Sequence, residues 1–217
     1  MRRVGMLLCG CGAYDGSDVQ EAILLLFALK RRSFRPLFLA PPIEQRDVVD
    51  HSTGEAIEGS GPRRVLQEAA RLTRGVIQAL NEVSPAEIDA LVIPGGMGVV
   101  KNLCLPGTGP LGGGPLRPEV TELLDALKER RAPVAAIGLA QVVLARHQDR
   151  PLDAGVVATG VTDVVIDEER RTLFTPGFMA SDSVTEVAEG IERLVDELAR
   201  WLGMPSGLHL AKEKAKP

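Results

Sequence analysis

The chain has 217 residues, 45% of them hydrophobic and 25% charged, with a formal net charge of −4. That length suits one domain with a buried core, and the weakly acidic balance leaves no electrostatic footprint for nucleic acid. No stretch approaches the length of a membrane span, and three cysteines, an odd number, make no disulfide framework and fit a reducing cytoplasm.

The opening MRRVGMLLCGCG imitates a basic leader, but its apolar run over 4–9 is too short for a secretory segment and reads as a first strand. The turn GCGAYDG follows, and Ser17 and Gln20 stand at capping-box spacing, which predicts a helix from there to about residue 32. Residues 35–40 predict a second strand stopped by Pro41 and Pro42. RDVVDH over 46–51 is a short extended piece before a glycine-containing polar loop. A helix over about 64–74 has Leu66, Ala69, Ala70 and Thr73 on one face. Ser84-Pro85-Ala86-Glu87 is another helix-start signature, and 90–93 is a strand that ends in PGGMG. The segment 105–118, rich in glycine and proline, is expected to be a mobile surface loop. Beyond it come a helix over 119–131, a strand over 134–137, a helix over 139–147 and a hairpin pairing 164–167 with 172–175. A closing helix over about 183–202 precedes a tail, 206–217, that is expected to be disordered, leaving a single domain over 1–205.

Strands alternating with amphipathic helices describe an α/β protein with a parallel sheet covered on both faces. Such a sheet places functional residues at the carboxyl ends of its strands. Three turns lie there: GCGAYDG with Glu21 in the helix after it, PGGMG at 94–98, and the glycine of AAIGLAQ, Gly138.

The stretches CGCGAYDGSDVQEA (9–22), DHSTGEA (50–56), EAARLTRG (68–75), DALVIPGGMGVVKNL (89–103) and TPGFM (175–179) resemble, in that order, the ElbB family of the PfpI and class I glutamine-amidotransferase-like superfamily. The combination of GCGxYDG with PGGxGxxKNL is the specific part. The resemblance implies a flavodoxin-like three-layer sandwich with a mostly parallel central sheet, assembled as a homodimer. It also implies a cysteine on the turn after a central strand, a glutamate from the first helix region beside it, and an oxyanion hole of backbone amides from the PGG turn. Some members of that family are assigned a glyoxalase III activity, which converts glyoxals to hydroxy acids without glutathione. Carried over by position, Glu21 matches the glutamate, Gly95 and Gly96 match the oxyanion turn, and Gly138 falls on the cysteine, just before a helix N-terminus at Leu139.

Glycine has no atom with which to attack a carbonyl carbon, so the thiol mechanism should be absent unless another cysteine replaces it. Cys9 reads as a small buried hydrophobe, Cys104 as semi-buried at the edge of the glycine-rich loop, and Cys11 as the thiol nearest the expected pocket. Glu21 is either a pocket acid or a helix-surface residue. His51 serves hydrogen bonding at an interface or pocket rim, and Lys101 and Asn102 either orient a ligand carboxylate or cap their turn. No Cys/His cluster has ligand spacing, so neither metal nor cofactor is expected. The family is also longer between the helix after the elbow and the final hairpin, so a lid or dimer contact is expected to be shortened here. The function these features imply is binding of a small carbonyl or carboxylate metabolite without thiol catalysis. The alternative is a glyoxalase III-like or hydrolytic enzyme that uses Glu21 with water or a displaced cysteine.

Overall fold

The computed structural model describes residues 1–108, 113–150 and 160–204. The expected tail over 206–217, the middle of the 105–118 loop and most of the shortened join before the hairpin lie outside them.

In chain order the elements are β1 (Arg3–Leu7), α1 (Val19–Arg31), β2 (Arg35–Ala40), β3 (Val49–Asp50), β4 (Glu55–Ala56), α2 (Val65–Leu72), β5 (Gln78–Ala79), β6 (Ala90–Ile93), α3 (Gly98–Asn102), β7 (Cys104–Pro106), β8 (Gly113–Leu116), α4 (Pro118–Glu129), β9 (Val134–Ile137), α5 (Gln141–His147), β10 (Val165–Asp167), β11 (Thr172–Thr175) and α6 (Val184–Trp201). The central sheet runs β10-β11-β9-β6-β1-β2-β5, parallel throughout except for β10, which pairs antiparallel with β11. Because successive strand residues point to opposite faces, each strand feeds two cores. Val4 and Met6 of β1, Val92 of β6 and Ile137 of β9 pack against α1 and α6, whereas Leu7, Leu91, Ile93 and Ala136 pack on the other side against α4 and α5. Apolar side chains on both faces leave the strands no polar alternation, and this is why they read as short continuous hydrophobic runs. The result is the flavodoxin-like α/β sandwich.

Four local expectations are corrected. The first helix is capped by Asp18, whose side chain accepts the Gln20 and Glu21 amides, and Ser17 is turned inward to accept the Cys9 amide through Oγ (3.0 Å). Ser84 opens only a 3-10 turn over Pro85–Glu87, because the fully buried Ile88 and the start of β6 leave no room for a helix. The two ends of the glycine-proline segment pair as β7 and β8, with Cys104 and Leu116 buried against the core. Finally, Gly138–Ala140 is a 3-10 turn, and α5 starts only at Gln141.

Candidate functional site

The loops that follow β1, β6, β9 and β11 meet at one carboxylate. Asp18 caps α1 and fixes its first turn, which aims Glu21 inward between these loops, where it is only 3% exposed. Glu21 Oε2 accepts the Gly95 amide (2.7 Å) from the loop after β6, and Oε1 accepts the Phe178 amide (3.1 Å) from the turn after β11. Three glycines close around it. A Cβ at Gly95 would lie 2.6 Å from Oε2, and one at Gly177 would lie 2.3 Å from Oε1. Gly138, at the end of β9, has φ +54, and its Cβ direction leads to a point 3.1 Å from Oε1 and 3.5 Å from Oε2. The elbow thus points its missing side chain at the carboxylate, in a left-handed conformation that glycine adopts without steric cost.

Burial raises the Glu21 carboxyl to about 7, with the neighbouring Asp18 charge adding to the rise and the two backbone hydrogen bonds opposing it. The folded protein therefore holds this proton more tightly than the unfolded chain, whose carboxyl titrates near 4.5. Its contribution to stability is complete below that value and is lost as the pH rises toward 7. The loss is on the order of 3 kcal/mol at pH 8. Glu21→Gln removes the titration, so urea unfolding at pH 5 and pH 8 is expected to show wild type losing more stability than the variant. Parallel losses would refute the assignment.

The loop after β6 is zipped to the loop after β1: Met97 donates to the Ala13 carbonyl (2.7 Å), Gly98 to that of Gly16 (3.0 Å), and Asp18 to that of Gly95 (2.9 Å). Gly96, at φ +100, has no room for a side chain, since a Cβ would meet Gly16 O at 2.4 Å and Asp18 N at 2.5 Å. The Gly95 amide, expected in an oxyanion hole, is already committed to Glu21. The Leu139 nitrogen of the elbow lies beside Gly95, 3.2 Å from where a Gly95 Cβ would stand.

Lys101 and Asn102 serve this scaffold. Lys101 Nζ donates to the Tyr14 carbonyl and pairs with Asp47 (both 2.8 Å). The buried Asn102 donates through Nδ2 to the Cys9 and Asp15 carbonyls and accepts the Arg46 amide. His51 lines a small cavity of about 260 Å³ together with Gly12, Ala13, Asp18 and Phe178. Its Nδ1 donates to the Val49 carbonyl (3.1 Å), which leaves Nε2 to accept the Tyr14 amide (3.2 Å). Asp15, not singled out in the sequence, is buried beside it. One oxygen accepts the Val49 amide, and the other is unpartnered, 3.8 Å from His51 Nε2. Gly177 and Phe178 were also missed as site residues. The only sequence signal for them was the TPGFM stretch itself.

None of the three cysteines has a thiolate-favouring setting. Burial pushes Cys9 up to about 12, and burial also raises Cys11 and Cys104, the latter despite the Arg146 guanidinium at its sulfur. Cys9 and Cys104 are buried and Cys11 is partly exposed. A short iodoacetamide pulse at pH 8 is therefore expected to label Cys11 alone in the native protein, read by mass spectrometry. Native labelling of Cys104 or Cys9 would contradict the packing. Among the described residues, no group of three or more His, Cys, Asp or Glu side chains is placed to hold a metal ion.

No family model matches the chain. It is 30% identical to the ES1 protein homolog, mitochondrial, of Rattus norvegicus, over 93% of this chain and 84% of that protein. It is 29% identical, with the same coverage, to the glutamine amidotransferase-like class 1 domain-containing protein 3, mitochondrial, of Homo sapiens. Among solved structures, an isoprenoid biosynthesis protein with amidotransferase-like domain from Ehrlichia chaffeensis superposes with a TM-score of 0.83 at 28% identity, covering 92% of this chain and 99% of that one. A two-domain DJ-1/ThiJ/PfpI-like and ferritin-like protein from Anabaena variabilis, at TM-score 0.55 and 15% identity over 100% of this chain and 52% of its own, shares the fold. These relatives correct the cytoplasmic expectation, because the curated ones are mitochondrial proteins. Unpaired cysteines argue for a reducing environment and do not name a compartment.

Proposed function

This chain belongs to the ES1 and ElbB family of class I glutamine-amidotransferase-like proteins, and we propose that it binds a small carbonyl or carboxylate metabolite at the Glu21 elbow without thiol catalysis. The observation that carries this reading is Gly138. Its φ of +54 and its Cβ direction toward Glu21 Oε1 keep an elbow beside a buried acid while supplying no nucleophile. A carboxyl that titrates near neutrality can donate a hydrogen bond to a ligand oxygen when protonated, and a cavity of about 260 Å³, lined by Asp18 and Phe178, which border Glu21, and not by Glu21 itself, suits a molecule of a few heavy atoms. Displacement of the nucleophile to another cysteine is disfavoured, since all three thiols are held in their protonated form.

Glu21 also favours a second reading, because a carboxyl near pH 7 is poised for proton transfer to or from water, as a glyoxalase III-like or hydrolytic enzyme would need. One experiment separates the two. Thermal unfolding is followed with pyruvate, lactate and glyoxylate, and turnover is followed with methylglyoxal and glyoxal, for wild type and Glu21→Ala. A melting shift without turnover, lost in Glu21→Ala, is the expected result, worth about 2.7 kcal/mol at 100 times the Kd. Wild-type turnover that vanishes in Glu21→Ala would replace the binding reading with the catalytic one.

A further inference from the structure

A second cavity, of about 650 Å³, opens at the other end of the sheet, where β9 and β11 begin and α4 and α5 end. It is therefore separated from the elbow, which follows the carboxyl end of β9. Leu124, Ala132, Val134 and Leu144 supply apolar lining. The charged lining is unbalanced: Lys128, Arg131, Arg170 and Arg171 face the cavity with only two carboxylates, Asp149 and Glu169, in a chain whose net charge is −4. The ion pairs nearby join His147 to Asp125, Arg170 to Asp167 and to Glu169, and Arg200 to Glu168. Among the described residues, Lys128, Arg131 and Arg171 have no carboxylate at ion-pair distance.

Two further observations set these cations apart from an ordinary solvated rim. Arg171 lies over the Trp201 ring, 4.4 Å from its centroid, and donates through Nε to the Arg131 carbonyl (3.4 Å). Burial weakens its hold on its proton, with the positive charges of Arg131 and Arg200 adding to the effect and Glu168 opposing it. In addition, three of the five non-glycine residues with positive φ among the described residues line this cavity: Arg131 (52), Asp149 (51) and Arg171 (57). At each turn glycine would relieve the backbone, and a charged side chain stands there instead.

We propose that this cavity is a binding site for a phosphorylated small molecule with an apolar body. The phosphate meets Lys128, Arg131 and Arg171, and the body lies on the Leu124, Val134 and Leu144 side. Guanidinium groups match phosphate oxygens two at a time, and a dianion supplies the anionic partner that Lys128, Arg131 and Arg171 lack. The volume falls within the range of metabolite sites.

Trp201 is the one tryptophan of the chain, so its fluorescence reports on Arg171 directly. The full chain is titrated with n-butyl phosphate, with n-butanol and citrate as comparison ligands, by fluorescence and calorimetry in parallel. Saturable binding of n-butyl phosphate with a Trp201 signal is expected, together with no binding of n-butanol and weakening in high salt. Lys128→Gln on α4 and Arg131→Asn, chosen because asparagine tolerates the left-handed backbone, are each expected to raise the Kd at least tenfold. Circular dichroism of each variant certifies the fold, and Lys128 lies within the last turn of α4 whereas Arg131 lies just past its C-cap, so a folding failure of one leaves the other as the test. Absence of binding to wild type, binding without a Trp201 change, or an unaltered Kd in a folded variant would overturn the site. Tighter binding of citrate would overturn its assignment to phosphate.

Discussion

Gly138→Cys is expected to make the protein less stable and, at the same time, chemically competent. The position holds φ +54, and a side chain there loses the freedom of glycine at about 1–2 kcal/mol. The added Cβ would also stand 3.1 Å from Glu21 Oε1, tighter than an ordinary contact. Urea unfolding should register that loss, and Gly138→Ala should share most of it, since the backbone and the Cβ are common to both. Reactivity should part them. The introduced thiol lies within reach of the Glu21 carboxyl, which can take its proton, so the variant is expected to react with iodoacetamide and to turn over methylglyoxal. Nucleophile removal costs triad enzymes on the order of 10^6 in kcat, so a gain of roughly 100-fold over wild type would be a modest recovery. A folded Gly138→Cys variant with wild-type turnover and an unreactive thiol would mean that the elbow is not a nucleophile position at all. A melting temperature at or above wild type would refute the strain argument instead.

What could be read from the amino acids alone follows from where the information resides. The strands at 35–40, 90–93 and 134–137 were legible to the residue, because each is an apolar run closed by proline, glycine or the PGG turn. Gly138 and Glu21 were legible as a pair only through the resemblance, since nothing in their spacing brings α1 to the end of β9. The second support of Glu21 was illegible for a different reason: it is the Phe178 amide, which any residue but proline would supply. The glycine beside it carries the weak signal, because a Cβ at 177 would collide with the carboxylate. The capping box misled by one residue. Serine and aspartate are both good caps, and the choice fell to Asp18 because Ser17 is drawn inward to the Cys9 amide, a contact fixed by the tertiary fold. The cation-lined cavity was not legible at all, since Lys128 and Arg171 are far apart in the chain and meet only when β11 is laid beside β9.

Asn102→Ala is expected to cost about 3 kcal/mol or more, in a residue whose sequence context left ligand contact and turn capping equally open. The fully buried side chain donates to the Cys9 carbonyl (2.8 Å) and the Asp15 carbonyl (2.9 Å) and accepts the Arg46 amide (3.0 Å). Alanine removes all three partners at once, and each of the two buried carbonyls left unpaired costs about 1–3 kcal/mol. Those groups lie at the end of β1, in the loop that carries Gly12 and Asp18, and in the segment leading to β3, so Asn102 is the clamp that holds the first loop against the sheet. Loosening it should shift the Asp18 cap and with it the Glu21 carboxylate, so ligand-dependent melting shifts should shrink along with stability. Asn102→Asp is the sharper control. It keeps an acceptor for Arg46 but turns a carboxylate oxygen toward two carbonyl oxygens, and it should be at least as damaging as alanine. Urea unfolding of both variants decides the matter. A loss below 1 kcal/mol in Asn102→Ala would show that the clamp is dispensable, and ligand binding lost without any change in stability would return Asn102 to the pocket.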